Sequence, residues 1–390
     1  MRILLSIASW NPVSGGPFFS VGNLARHLQD AGNTVGLLAA SYPHCPAHPA
    51  PEGVELFLIS GYRDPLLRQT YLPGGRKKIR QILDDFKPDI LHDNGLWLKL
   101  SHFLAIECER RKIARIVSPR GCLDPWALQY RNWKKKIALK LYQQKDLEFA
   151  TAFHAASAVE AQNIRTFGLT QPIATIPNGV TLPTPNQEQR TTNQEQRTTN
   201  NKLKTALFLG RLHPIKNLPN LLRAWAQARP ENWRLRIVGS DEVNHRAKLQ
   251  ALSVELGIAE TVSLEEPLYG EAKEALFREA NLFFLVSKSE NFGISAAEAM
   301  AAGLPVIASR STPWNCLEEH KLGWWAEGEP APLASAITEA TNLPLETLQT
   351  MGQRARNYAA KEFSWPAIAT KMEAHYQWIL NEGSQPTFVV

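Results

Sequence analysis

The chain is poor in sulfur and has no long apolar run. Among its 390 residues there are only four cysteines (Cys45, Cys108, Cys122, Cys316) and four methionines. The cysteines form no CxxC and no evident pairing pattern, so free thiols in a reducing, cytoplasmic setting are expected. No stretch of about 18 apolar residues occurs, which leaves no candidate transmembrane helix. The apolar run at 3–8 stops at once in Trp10, Asn11 and Pro12. It is shorter than a secretory core segment and reads as a first buried strand. There is no GxGxxG and no phosphate-loop lysine. A suitably placed DxD and a His/Asp cluster at ligand spacing are also missing, so no metal and no cofactor is expected. Helix-turn-helix, zinc and RNA-binding signatures are absent, which argues against nucleic acid as the partner.

What is present points to a folded protein of two domains. The length exceeds one ordinary core and suits two of about 150–200 residues each. Charge is uneven: residues 1–182 hold 22 Lys and Arg against 14 Asp and Glu, and the rest of the chain is slightly acidic. A basic first half suggests an anionic partner, such as a membrane surface, a phosphorylated lipid or an acidic substrate. Residues 186–201 read NQEQRTTNQEQRTTNN, a polar seven-residue unit written twice, after LPTP at 182–185. A linker or flexible loop is expected there.

On both sides of this segment, short apolar strands alternate with amphipathic helices. Strands are predicted at 2–8, 34–39, 54–58, 89–91, 114–118, 152–155 and 173–176. In the second half they fall at 205–209, 234–238, 262–264, 282–285 and 305–308. Such alternation with near-continuous apolar strands means parallel sheets covered by helices, an α/β fold. Helical spacing of Ala367, Ile368, Met372, Tyr376 and Ile379 predicts a last helix over 363–380.

Three constellations carry chemistry. The first is SGGPFFSVGNLARHL (14–28), where Gly15 and Gly16 precede a helix whose start attracts phosphate. Alone, it reads equally as a plain strand-to-helix turn. The second is FLGRLHPIKNL (208–218), in which Arg211 and Lys216 are two cations on one loop after a strand. They suit a diphosphate, or are a solvated pair. The third is SENFGISAAEAMAAGLPVIAS (289–309). Glu290 and Glu298 stand eight apart, Asn291, Phe292 and Gly293 make a turn, and a helix follows. The carboxylates can accept from sugar or ribose hydroxyls, and the helix start offers free N–H groups.

The order and spacing of these segments, with IPNGV at 176–180, resemble the retaining glycosyltransferases of the group 1 (family 4) type, almost end to end. SPRGCLDPWAL (118–128) and TPWNCLEEHKLGWW (312–325) look like a subgroup among bacterial polysaccharide-assembly enzymes. The resemblance implies the GT-B fold, two Rossmann-like doubly wound domains facing across a cleft. It implies an acceptor-side domain over 1–182 with the helix at 366–381 packing back on it. A linker over 183–202 and a nucleotide-sugar domain over 203–365 would complete the chain. It also implies that Arg211 and Lys216 neutralise the donor diphosphate, Glu298 holds the ribose, and Glu290 contacts the sugar. Asn291, Phe292 and Gly293 would border sugar and phosphate. Gly15 and Gly16 would approach the diphosphate from the other domain, and Asn178 and Gly179 would shape the end of the first. Catalysis would proceed without metal, from a UDP- or GDP-linked sugar, by same-face attack assisted by the leaving phosphate.

Acceptor-side candidates are His92, Asp93, Asn94 and Arg120. His92 is equally explained by a structural hydrogen bond in the core. Arg120 stands where many relatives carry a histidine, and suits an anionic acceptor or the donor phosphate. Asp124 is suited to capping a helix. RNWKKKIALKLYQQKDL (131–147) reads as a surface helix with its apolar stripe on the core, or as a membrane-surface helix. The expected function is transfer of a sugar to a glycan or lipid-linked acceptor in cell-surface polysaccharide assembly, in the cytoplasm at the inner membrane face. The rivals are a nucleotide-sugar epimerase of the same fold and a catalytically silent sugar-binding subunit.

Overall fold

The structure, a computed structural model, describes residues 1–12, 15–43, 45–63, 70–129, 132–183, 203–241 and 243–390. The sequence repeat at 186–201 lies outside the described residues. The chain forms two compact units. The first comprises 1–179 together with 365–390, and the second 180–364.

The first unit is built on a parallel sheet of β1 (Arg2–Ser9), β2 (Thr34–Ser41), β3 (Glu55–Ser60), β6 (Ile90–Asn94), β7 (Ala114–Ser118), β8 (Ala152–Ala155) and β9 (Ile173–Thr175). Their spatial order is β3-β2-β1-β6-β7-β8-β9. A two-stranded ribbon, β4 (Tyr62–Arg63) with β5 (Thr70–Tyr71), stands apart. Residues 3–7 of β1 are all buried because helices cover both faces of the sheet, so alternation would expose apolar surface. Helix Gly16–Asp30 turns Val21, Leu24, Ala25 and Leu28 inward at helical spacing. Helix Trp365–Ile379 buries Ile368, Ala369, Met372 and Tyr376 in the same core cluster. The final residues then run antiparallel to β9, with the Ile173 and Val390 backbones exchanging bonds of 2.9 and 3.0 Å.

The second unit carries β10 (Lys204–Leu209), β11 (Trp233–Val238), β12 (Val262–Glu265), β13 (Leu282–Leu285), β14 (Val306–Ser309) and β15 (Gly323–Ala326). The order is β12-β11-β10-β13-β14-β15, all parallel. The two parallel α/β sheets meet the expected fold class. Strand β15 and the short ribbon are not among the predicted strands; β15 (GWWA) is only half-buried and the ribbon strands are two residues each. The helix expected within 131–147 forms over 132–148, but Leu139–Gln143 within it is π-helical. The wider turn shifts the faces of the helix on either side of it.

Candidate functional site

In the second unit the motifs gather at the carboxyl ends of neighbouring strands. β10 and β13 are adjacent, so the loop after β10 and the loop after β13 lie side by side. The backbone ties them, Lys288 N–H donating to Ile215 C=O at 2.7 Å. Lys216 ends a 3₁₀ turn, Pro214–Lys216, and its Nζ donates to Glu290 Oε1. Ser287 Oγ donates to the same oxygen at 2.8 Å. Arg211 opens the same loop and is solvent-exposed. The sequence assigned Lys216 and Glu290 to different parts of a ligand, whereas the fold pairs them with each other.

Gly293 starts helix Ile294–Ala301 with φ of 88°, a left-handed conformation that favours glycine. A Cβ there would also stand 2.7 Å from Leu285 Cδ2. Behind the turn, Trp314 Nε1 donates to Phe292 C=O at 2.7 Å, and the Phe292 ring packs against Trp314 and Phe363. Thus the turn is fixed from the protein side while the first amides of the helix lack intrahelical acceptors. Asn291 Oδ1 is buried with no hydrogen-bond partner among the described residues. Glu298, in the second helical turn, is paired with Lys273 at 2.7 Å. Lys273 was not singled out in the sequence, since a lone lysine on an amphipathic helix carries no signal. The backbone is tightly packed at this edge as well, for a Cβ on Gly239 would lie 1.8 Å from the Gly210 carbonyl oxygen.

In the first unit Gly15 has φ of 67°, and Gly16 begins the helix Gly16–Asp30 with no side-chain cap. His92, Asp93 and Asn94 form the end of β6, and all three are buried. His154 Nε2–H donates to Ile176 C=O at 2.8 Å, so its Nδ1 accepts from Ser118 Oγ–H at 2.7 Å. Ser118 Oγ then accepts from His92 Nε2–H at 2.6 Å, and His92 Nδ1 accepts from Tyr376 Oη–H at 2.6 Å. This directional chain assigns the tautomers and fastens the last helix to the sheet. His92 therefore serves a structural hydrogen-bond chain inside the core. Asp93 is equally committed: Oδ1 accepts from Ser6 at 2.6 Å and Ser101 at 3.0 Å, and Oδ2 from Arg115 at 2.7 Å.

Asn94 Oδ1 accepts from Arg120 Nε at 3.1 Å and Nη2 at 2.7 Å, and Asn178 Oδ1 accepts from Arg120 Nη1 at 2.7 Å. The fold thus joins Asn178 to Asn94 and Arg120, two of the acceptor-side candidates, from which the sequence reading had kept it apart. Gly179 meets a packing demand, as a Cβ there would stand 2.3 Å from Trp365 Cδ2. Asp124 accepts from Trp126 N–H at 2.9 Å and caps the short helix Pro125–Gln129. No group of three or more His, Cys, Asp or Glu side chains gathers as a metal site among the described residues.

Burial lowers the pKa of His92 well below the usual range, with the charges of its neighbours adding to the effect. Burial likewise lowers His154 to about 3 and His375 to about 4. These groups are neutral in the fold and take up protons on unfolding, from about pH 6.5 downward. Their stabilisation is therefore complete above about pH 6.5 and falls as pH drops toward 4. Urea unfolding at pH 7.5, 6.0 and 5.0 should give steadily lower stability. His375→Leu should reduce that slope by about one proton, because both ring nitrogens of His375 are buried without partners among the described residues.

Comparison with known proteins fits this arrangement. Residues 14–183 match the family model described as Glycosyltransferase Family 4, and residues 189–358 match Glycosyl transferases group 1. The D-inositol 3-phosphate glycosyltransferase of Corynebacterium efficiens is 34% identical over 182 residues, 44% of this chain and 42% of that protein. That of Streptomyces scabiei is 34% identical over 42% of this chain and 39% of that protein. The chain thus spans about two-fifths of the length of these curated relatives. Sucrose-phosphate synthase from Thermosynechococcus elongatus superposes with a TM-score of 0.74 at 19% identity, over 97% of this chain and 99% of that one. Anabaena Alr3699/HepE in complex with UDP and glucose gives 0.71 at 19% identity, over 97% and 100%. Both halves of the chain are glycosyltransferase domains, Family 4 followed by group 1, and the protein belongs to the glycosyltransferases of GT-B fold.

Proposed function

We propose that the protein transfers a sugar, with retention and without a metal ion, from a UDP- or GDP-linked donor to a glycan or lipid-linked acceptor in cell-surface polysaccharide assembly. The observation that carries this reading is the convergence of Lys216, Glu290 and the Gly293-led helix start on one strand edge of the second unit. The leaving group is a nucleoside diphosphate that gains negative charge as the anomeric C–O bond breaks. Lys216, Arg211 and the amides of the helix start supply counter-charge and N–H donors where that charge grows. Glu290 accepts from a sugar hydroxyl and Glu298 from the ribose hydroxyls. The acceptor oxygen forms its bond on the face the diphosphate leaves, and its proton passes to the departing phosphate. The names of the curated relatives add inositol phosphate to the acceptors to be tested.

A thermal-shift screen of UDP, GDP and ADP with and without EDTA tests the donor site. One nucleotide is expected to raise Tm by a few degrees, unchanged by EDTA. No shift with any of the three at millimolar concentration would sink the reading. A shift that vanishes with EDTA would remove metal independence alone.

Contact with an anionic membrane belongs to the same proposal. Ile137 and Leu141 point outward rather than onto the core, at 51% and 74% exposure, with Lys136, Lys140 and the half-exposed Trp126 nearby in the chain. Exposed aliphatic side chains among lysines suit the headgroup boundary of an anionic bilayer. In flotation with phosphatidylglycerol vesicles, the protein should rise with the lipid. Ile137→Ser/Leu141→Ser should leave most of it at the bottom, and equal flotation of both proteins would remove the membrane role. No helix among the described residues is long and apolar enough to cross a membrane.

A further inference from the structure

We propose that Arg120, clamped by Asn94 and Asn178, is a preset receptor for a phosphate group of a substrate at the carboxyl edge of the first sheet. The proposal rests on the glycosyl-transfer reading only for which substrate brings the phosphate, and the receptor itself rests on the geometry of the first unit. Asn94 is the last residue of β6, Arg120 stands two residues beyond β7, and Asn178 three beyond β9. In open parallel sheets, ligands bind outside the carboxyl ends of the strands, near the point where strand order reverses. Here that point lies between β1 and β6.

The chemistry of the clamp is unusual for a part-buried cation. Three of the five guanidinium N–H groups are spent on amide oxygens, two on Asn94 and one on Asn178. Amides fix the orientation of the plane but bring no negative charge. No carboxylate among the described residues comes within ion-pairing distance of it. Burial lowers the pKa of Arg120, and the field of Glu160 opposes this from beyond ion-pairing distance; the Glu160 oxygens accept from the N–H groups of Gly121 and Ala156, each at 2.7 Å. The nearby His92 and His154 are held neutral by burial. Arg115, five residues earlier, shows what a purely structural arginine looks like in this sheet: it is fully buried and paired with Asp93 at 2.7 Å.

One N–H on each terminal nitrogen of Arg120 remains, the donor pattern that suits an oxyanion. The backbone is strained at the same place, with φ of 54° at a non-glycine residue. A cation without an ion-pair partner, held by amides in a left-handed backbone conformation, is what a binding site would retain.

The test uses the full chain, with inorganic phosphate, D-inositol 3-phosphate and UDP as probes in calorimetry and thermal shift. Arg120→Gln should weaken phosphate or phosphomonoester binding at least tenfold. Asn178→Asp places a carboxylate beside the guanidinium, so it should raise the ligand-free Tm while also weakening anion binding at least tenfold. That pairing of gain and loss is not expected of an arginine that only braces loops, and it carries the test if Arg120→Gln fails to fold. Unchanged UDP affinity in both variants assigns the phosphate to the acceptor, and a parallel loss of UDP affinity assigns it to the donor. Wild-type affinity for all three probes in folded variants overturns the proposal, as does a wild-type protein that binds none of them. If phosphate binding depends on Arg120 yet no nucleotide binds, the receptor stands and the glycosyl-transfer reading fails.

Discussion

Lys216→Ala is expected to lower kcat/KM for sugar transfer by about 10²–10³, the loss typical of removing one preorganised stabiliser of developing charge. The substitution also weakens nucleotide binding, because the ground-state diphosphate is already anionic. Glu290→Gln should behave differently. It keeps the size of the side chain and removes the charge that Lys216 and Ser287 address. Turnover should fall by a comparable factor while UDP or GDP affinity holds within about threefold, since one less carboxylate near a diphosphate does not oppose its binding. Steady-state kinetics beside nucleotide titrations separate the two effects. If both variants turn over like wild type, the site assignment in the second unit is wrong. Lys216 and Glu290 are both partly accessible at a strand edge, and neither belongs to a core cluster. The variants should therefore unfold within about 1 kcal/mol of wild type.

Arg115→Met should cost about 3–5 kcal/mol of stability, the range for removing one partner of a buried ion pair. Both side chains are essentially inaccessible, at 1% and 2%. With Arg115 gone, Asp93 retains only the hydroxyls of Ser6 and Ser101, and the Asp146 carbonyl loses the donor that reaches it at 2.7 Å. The double variant Arg115→Met/Asp93→Leu should recover much of the loss, because no unpaired charge remains inside. Urea unfolding of the four proteins at pH 7.5 completes the cycle. A single variant within 1 kcal/mol of wild type would show that the pair is not what organises this part of the core.

The contrast between Arg115 and Arg120 bears on how the first unit divides its charges. One arginine is paired with a carboxylate within the fold, and the other is held by amides alone at the edge proposed to receive a phosphate. Carboxylate pairing recurs in the second unit. There Arg236, on β11, is satisfied by Glu265 and Glu279 at 2.7 and 3.0 Å, and Lys216, on the candidate donor loop, is held by Glu290. Away from both sites, four arginines surround the buried Glu107. Burial raises its pKa, and hydrogen bonds from Arg76, Arg80 and Arg111 more than offset that, holding it at about 2.

The alternation of strand and helix was readable along the chain because each buried strand is a short apolar run and each covering helix repeats its apolar positions at 3.6-residue spacing. Those signals are local, and local signals suffice to specify parallel sheets covered by helices. The nature of the motifs was legible for the same reason, as Gly293 before a helix and Lys216 on a strand-to-helix loop lie within segments of a dozen residues. Which side chains meet was not legible. Lys216 and Glu290 are 74 positions apart, Arg120 and Asn178 are 58 apart, and His92 and Tyr376 are 284 apart. Each pair is set by strand order in a sheet or by the return of the last helix, neither of which leaves a mark on the residues themselves. The same holds for Ile137 and Leu141, whose spacing suits a core-facing stripe although both face outward. Sequence alone determined the elements and the chemistry available, because both depend on nearest neighbours. Tertiary structure alone decided which charges are paired and with what, because that depends on groups that strand order brings together from 22 to 74 positions apart.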